Sequence, residues 1–93
     1  MISSQSRPRL AAKARLRYDR KRGRWMILFP EKGLELSPTA ADVVRLCAGV
    51  LTVSAIAEQL AERYAARDAG AIESEVLELL NALADRCLIE EAA

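Results

Sequence analysis

Residues 24–49 read RWMILFPEKGLELSPTAADVVRLCAG. The pattern changes period midway. Arg24 to Phe29 is apolar on both faces, which predicts a strand covered on both sides and so central in its sheet. Pro30 ends it, because proline has no N–H to give to a ladder. Glu31-Lys32-Gly33 predicts a tight turn, and Leu34-Glu35-Leu36 a short returning strand. Ser37-Pro38 then opens a helix, with serine as N-cap and proline at the first helical position. Ala40, Val43, Val44 and Cys47 follow at i, i+3, i+4 and i+7, and Gly49 stands where a helix-ending residue belongs.

Upstream, Ala14-Arg15-Leu16-Arg17-Tyr18 alternates small or apolar residues with arginine, the period of a half-buried strand. Asp19-Arg20-Lys21-Arg22-Gly23 predicts the turn into the central strand, with glycine available for a positive φ. The three strands make an antiparallel meander. Met1 to about Arg9 reads as a flexible tail (residues 1–9), leaving residues 10–93 as one domain. Downstream, Thr52 caps a second helix with the stripe Val53, Ile56, Ala57, Leu60, Ala61 and Tyr64. Arg67-Asp68-Ala69-Gly70 breaks the helical run, a third helix spans about Ile72 to Arg86, and Leu88-Ile89 docks as a last extended piece. The expected class is α+β, winged-helix-like: a three-stranded antiparallel β-sheet followed by three α-helices.

Composition excludes several function classes. The longest uninterrupted apolar run, Trp25 to Phe29, is far short of the ~20 residues that span a bilayer, and MISSQSRPRL lacks a signal-peptide core, so the expected compartment is cytoplasmic. There is no histidine, the commonest general base, and the four glycines are too scattered for a phosphate loop. An enzyme is not expected. Cys47 and Cys87 stand alone without metal-ligand spacing and read as two small buried hydrophobes; no metal or cofactor is implied. The net charge of +1 hides a split: residues 1–24 carry nine Lys/Arg against one Asp, and residues 25–93 five against twelve Asp/Glu.

The third helix is wider in its apolar face than a core requires. With Ile72 at the origin, Val76, Leu79, Leu80 and Leu83 fall within about 80° of it, an ordinary core stripe. Leu77 and Ala84 fall at about 140° and 120°, widening the apolar arc toward about 180°, where roughly 100° suffices. Either another part of the fold or a second copy of the chain covers that shoulder, or it walls a groove for an apolar partner. DNA fits this helix poorly, since Glu73, Glu75, Glu78 and Asp85 face one arginine, Arg86.

The order of elements, with RLRYD, RWMILFPEKGLELSPTAADVVRLCAG, LTVSAIAEQLAERY and EVLELLNALADRCLIEE, resembles the PqqD family over about residues 9 to 90. That family supplies the small peptide chaperone of pyrroloquinoline quinone biosynthesis. The resemblance implies a RiPP recognition element that binds no DNA, grips the precursor peptide PqqA and presents it to the radical SAM enzyme PqqE. It further implies that the peptide adds as a strand beside the third strand and lies against the third helix. Carried over, the edge is Gly33, Leu34, Glu35 and Leu36, and the wall is Ile72, Glu75, Val76, Leu79 and Leu80. The sequence departs from the family pattern at Ala48-Gly49, at Ala55, and at Arg86-Cys87, where the missing glycine puts a left-handed helix stop in doubt.

An edge strand offering three or four backbone hydrogen bonds contributes about 3–4 kcal/mol, near millimolar affinity. Two or three apolar side chains buried on the helix add ~1.5–3 kcal/mol each, bringing micromolar binding within reach. The alternative function is a winged-helix DNA binder using Arg15, Arg17, Arg20, Lys21, Arg22 and Arg24. A third reading makes the shoulder a homodimer interface. The basic turn Arg20, Lys21 and Arg22 is a further candidate for docking PqqE.

Overall fold

The structure, a computed structural model, describes residues 1–65 and 68–92. Five strands and three helices follow one another as β1 (Pro8–Leu10), β2 (Arg15–Asp19), β3 (Arg24–Phe29), β4 (Lys32–Glu35), α1 (Pro38–Arg45), α2 (Val53–Tyr64), α3 (Ala69–Asp85) and β5 (Ile89–Glu91). The expected meander is present, with β3 between β2 and β4. Its first turn is built by Asp19, whose Oδ1 accepts from the backbone N–H of Lys21 and Arg22, and by Gly23 at φ +66°. In the second turn Pro30 and Glu31 are the central residues, and Glu31, not Gly33, takes the positive φ of +64°.

All three helix starts are set by short polar side chains. Ser37, Thr52 and Asp68 each accept a hydrogen bond from the N–H three residues on, which satisfies one orphan donor per helix. α3 therefore begins at Ala69, nearly one turn before the periodicity suggests, because Asp68 is its cap and Gly70 lies inside it. α2 ends on Ala65 in the left-handed region, ahead of the proposed break; Arg67 lies outside the described residues. Gly49 is not the stop of α1, which ends at Leu46. It sits at φ +80° against Arg9 and Ala92, where an added Cβ would lie 3.1 Å from the Ala92 Cβ.

Two expectations need correction. Residues 1–9 are not a free tail. Pro8–Leu10 pairs antiparallel with Ile89–Glu91, Ile2 is buried at 4% exposure, and buried Ser6 donates its hydroxyl to Glu91. Leu88-Ile89 does dock as an extended piece, and the N-terminus supplies its partner strand. Cys87 is exposed, not buried. It occupies the left-handed position after α3 at φ +61°, with Cys87 N–H on the Ala84 carbonyl and Leu88 N–H on the Leu83 carbonyl. That pair of bonds is a Schellman stop made without glycine, and Leu88 and Leu83 both enter the core behind it.

The core lies between the inner face of the meander and the helices. Ile27 of β3, Leu36 just beyond β4, Val43 and Val44 of α1, Ile56 and Leu60 of α2, and Ile72, Val76, Leu80 and Leu83 of α3 are all buried within one cluster. Among the described residues no helix is long and apolar enough to cross a membrane.

Candidate functional site

β4 is an edge strand, paired only with β3 in its sheet. The direction of its backbone groups follows from one bond. Leu36 N–H donates to the Trp25 carbonyl at 2.9 Å, so Leu36 and, by alternation, Leu34 and Lys32 turn their backbone groups toward β3. Gly33 and Glu35 therefore turn theirs outward, offering two N–H and two C=O groups to an added strand. Outside the hairpin Glu35 is anchored by Arg22 at 2.6 Å and Arg24 at 3.8 Å.

One residue past Leu36, a cavity of about 200 Å³ opens between the three helices. Ser37, Thr39, Ala40 and Val43 form one side, Leu60 and Tyr64 a second, and Ile72, Glu75, Val76 and Leu79 the third. Openings of about 150 Å³ with apolar walls hold a benzene ring, so this one has room for a leucine or phenylalanine side chain. Tyr64 is fixed on its rim. The Tyr64 hydroxyl donates to Asp42 Oδ2 at 2.6 Å, and Arg63 holds the other Asp42 oxygen at 3.4 Å. Burial, reinforced by the Asp42 bond and charge, pushes the Tyr64 phenol up to about 12. It is therefore a neutral donor near pH 7, committed to Asp42.

The proposed wall residues thus fall into two groups. Ile72, Glu75, Val76 and Leu79 line the cavity together, with Ile72 and Val76 as its floor and Leu79 half-exposed. Leu80 is fully buried and supports that floor from behind, so it offers no surface to a partner. The edge residues Gly33 to Leu36 are not in the cavity lining; strand and cavity are consecutive along the chain, joined at Ser37. The contributions of α1 and α2, Ala40, Val43, Leu60 and Tyr64, were not singled out as binding residues in the sequence. Their helical stripes read as core, and nothing in a stripe marks which core residues a gap will uncover.

The shoulder at Leu77 and Ala84 is half-buried against the core. Asn81, on the same side of α3, accepts from the Ile2 N–H at 2.9 Å and donates back to the Ile2 carbonyl at 3.1 Å. The N-terminal segment is therefore what lies along that side of α3. Among the described residues no group of three or more His, Cys, Asp or Glu could hold a metal.

Comparison with known proteins gives one answer. Residues 24–89 match the family described as Coenzyme PQQ synthesis protein D (PqqD). A PqqA binding protein of Rhodopseudomonas palustris strain BisB5 is 43% identical over 98% of this chain and 88% of its own length. One from Xanthomonas axonopodis pv. citri is 39% identical over 95% of each chain. Among solved structures, the solution structure of the PqqD truncation of Methylobacterium extorquens PqqCD, described as a functional, stand-alone RiPP recognition element, superposes with a TM-score of 0.84. It is 37% identical and covers 97% of this chain and 95% of that one. The crystal structure of PqqD from Xanthomonas campestris, 39% identical over 95% and 97% of the two chains, superposes at 0.59.

Proposed function

This chain belongs to the PqqD family, and from that premise we propose that it is the peptide chaperone of pyrroloquinoline quinone biosynthesis, binding the precursor peptide PqqA and presenting it to the radical SAM enzyme PqqE. The observation that carries the reading is the succession of an open backbone edge and an apolar cavity. Gly33 and Glu35 offer four backbone groups to an extended chain, and the cavity begins at Ser37, two residues beyond the end of that edge strand. A peptide running along β4 would place an apolar side chain among Ala40, Val43, Tyr64, Val76 and Leu79. Backbone pairing alone yields about millimolar affinity; one or two buried side chains at ~1.5–3 kcal/mol each bring it toward micromolar.

In this reading the chain does no chemistry itself. It holds an extended peptide for another protein in the cytoplasm. Titration of isotope-labelled protein with PqqA tests it: shifts should concentrate at Gly33 to Leu36 and at Ile72, Glu75, Val76 and Leu79. Shifts confined to the β2–β3 hairpin, or none at millimolar peptide, would overturn the proposal.

A further inference from the structure

The meander has a second face that the peptide groove does not use. Its register pairs Arg15 with Leu28 and Gly33, and Arg17 with Met26 and Glu35, so these residues share the side of the sheet turned away from the helices. Leu16, Trp25, Phe29 and Leu34, on the inner side, pack on the core cluster; Met26 and Leu28 do not. They form an apolar strip on the outer face of an otherwise charged sheet. Gly33 keeps the strip flat beside the edge, since a Cβ there would lie 3.0 Å from Met26 Cε and 3.3 Å from Leu28 Cδ2.

Cations line the β2 side of the strip, and Glu35 stands on its β4 side. Arg22 and Arg24 are engaged by Glu35, whereas Arg15, Arg17, Arg20 and Lys21 make no ion pair among the described residues. A shallow concavity of about 720 Å³ lies between Arg17, Tyr18, Asp19, Arg20 and Lys21 on its rim and Met26 and Leu28 on its floor.

We propose that this outer face is the docking surface for an acidic protein surface carrying apolar side chains, on the enzyme that acts on the held peptide. For the partner's identity the inference rests on the reading above. Its chemistry is argued from the face itself. Four cations that make no ion pair among the described residues favour an anionic partner. An apolar floor between them favours a folded protein surface over a nucleic acid, whose phosphates and sugars would leave Met26 and Leu28 unburied. A second copy would have to bring an acidic surface of its own, such as α3, against the hairpin, and self-association is therefore one outcome of the test. The face is on the opposite side of the sheet from Leu34, so peptide and enzyme can be held at once.

The test uses the full chain with Arg17, Arg20 and Lys21 all changed to Glu, and separately Met26→Ser. Binding to PqqE is measured by calorimetry at low and high salt, with and without PqqA. The charge reversal should weaken PqqE binding by about tenfold or more, the wild-type affinity should fall with salt, and Met26→Ser should weaken it by about fivefold. PqqA affinity should stay within about twofold for the charge reversal, because Arg17, Arg20 and Lys21 lie on β2 and its turn, away from β4 and the cavity. Unchanged PqqE binding by the charge-reversed chain overturns the proposal, as does loss of PqqA binding in that chain. Salt-sensitive binding of a 30-base-pair duplex, abolished by the reversal while PqqE binding persists, would assign the face to nucleic acid. Wild-type self-association that the reversal abolishes, again with PqqE binding intact, would assign it to a second copy. If the wild-type chain binds PqqE and not PqqA, the groove reading fails while the docking surface stands.

Discussion

Replacing Glu35 by proline isolates the contribution of the open edge. The Glu35 N–H points away from β3, so proline there breaks no bond of the β3–β4 ladder, and the position lies on an edge strand where proline is tolerated. The cost to folding should stay below ~1 kcal/mol. For an added strand the same change removes one donor, about 1 kcal/mol, and puts a pyrrolidine ring where the incoming carbonyl must approach, which loosens a neighbouring bond of similar size. The sum, about 2 kcal/mol, is roughly a thirtyfold loss of PqqA affinity. Glu35→Ala is the control. It deletes the ion pairs with Arg22 and Arg24, whose side chains are 62% and 59% exposed, so its effect should lie within about 1 kcal/mol. Calorimetry gives the affinities and thermal unfolding confirms that both variants fold. Equal PqqA affinity for the two variants would refute strand addition at β4.

Leu79→Glu should weaken PqqA binding by more than about tenfold with little loss of fold, since Leu79 is half-exposed on the cavity wall, whereas Leu80→Ala should cost about 2–5 kcal/mol of stability, read as a lower Tm. Cys87→Gly should raise stability by about 1 kcal/mol, or about 4–8 °C in Tm, by relieving a side chain held at φ +61°. Asn81→Ala should lower stability by about 1–3 kcal/mol and expose residues 1–7 to protease, because it deletes both hydrogen bonds to Ile2. Burial pushes the Cys47 thiol from 9.0 up to about 12, and Tyr64 rises from 10.0 to about 12. The fold therefore favours both neutral forms, and their contribution to stability, complete below pH 9, should be lost as pH rises toward 12 in chemical denaturation. At pH 8 a thiol reagent should label exposed Cys87 quickly and Cys47 only on unfolding.

The meander and the starts of the first two helices were legible because each is written locally, whereas Asp68, the cap of α3, read as part of a break. Asp19 and Gly23 turn the chain, and Ser37-Pro38 and Thr52 cap helices within three residues of themselves. β1 and β5 were not legible as a pair. Pro8–Leu10 and Ile89–Glu91 are three residues each, too short to show alternation, and their pairing joins opposite ends of the chain. Ile2 was missed for the same reason: one apolar residue among serines carries no period, and its partner Asn81 is a polar residue on a helix far along the chain. Cys87 hid a left-handed stop that glycine usually advertises. The cavity was half visible, since its α3 wall stood out as surplus apolar surface while its α1 and α2 walls were indistinguishable from core.

Charge then separates what the two faces of the sheet can receive. α3 carries Glu73, Glu75, Glu78 and Asp85 and no Lys or Arg, so the helix that a DNA-binding relative of this topology would insert repels phosphate. An extended peptide bonding to the Gly33 and Glu35 backbone, as proposed, would need no charge for its pairing and would bury its side chains on Val43, Val76 and Leu79. The cations Arg15, Arg17, Arg20 and Lys21, which make no ion pair among the described residues, lie instead on β2 and its turn. With exposed charges screened beyond about 8–10 Å, a protein docking there would feel the cations strongly and the carboxylates of α3 weakly. A chain of net charge +1 can therefore present a basic surface to one macromolecule and a neutral backbone edge to another.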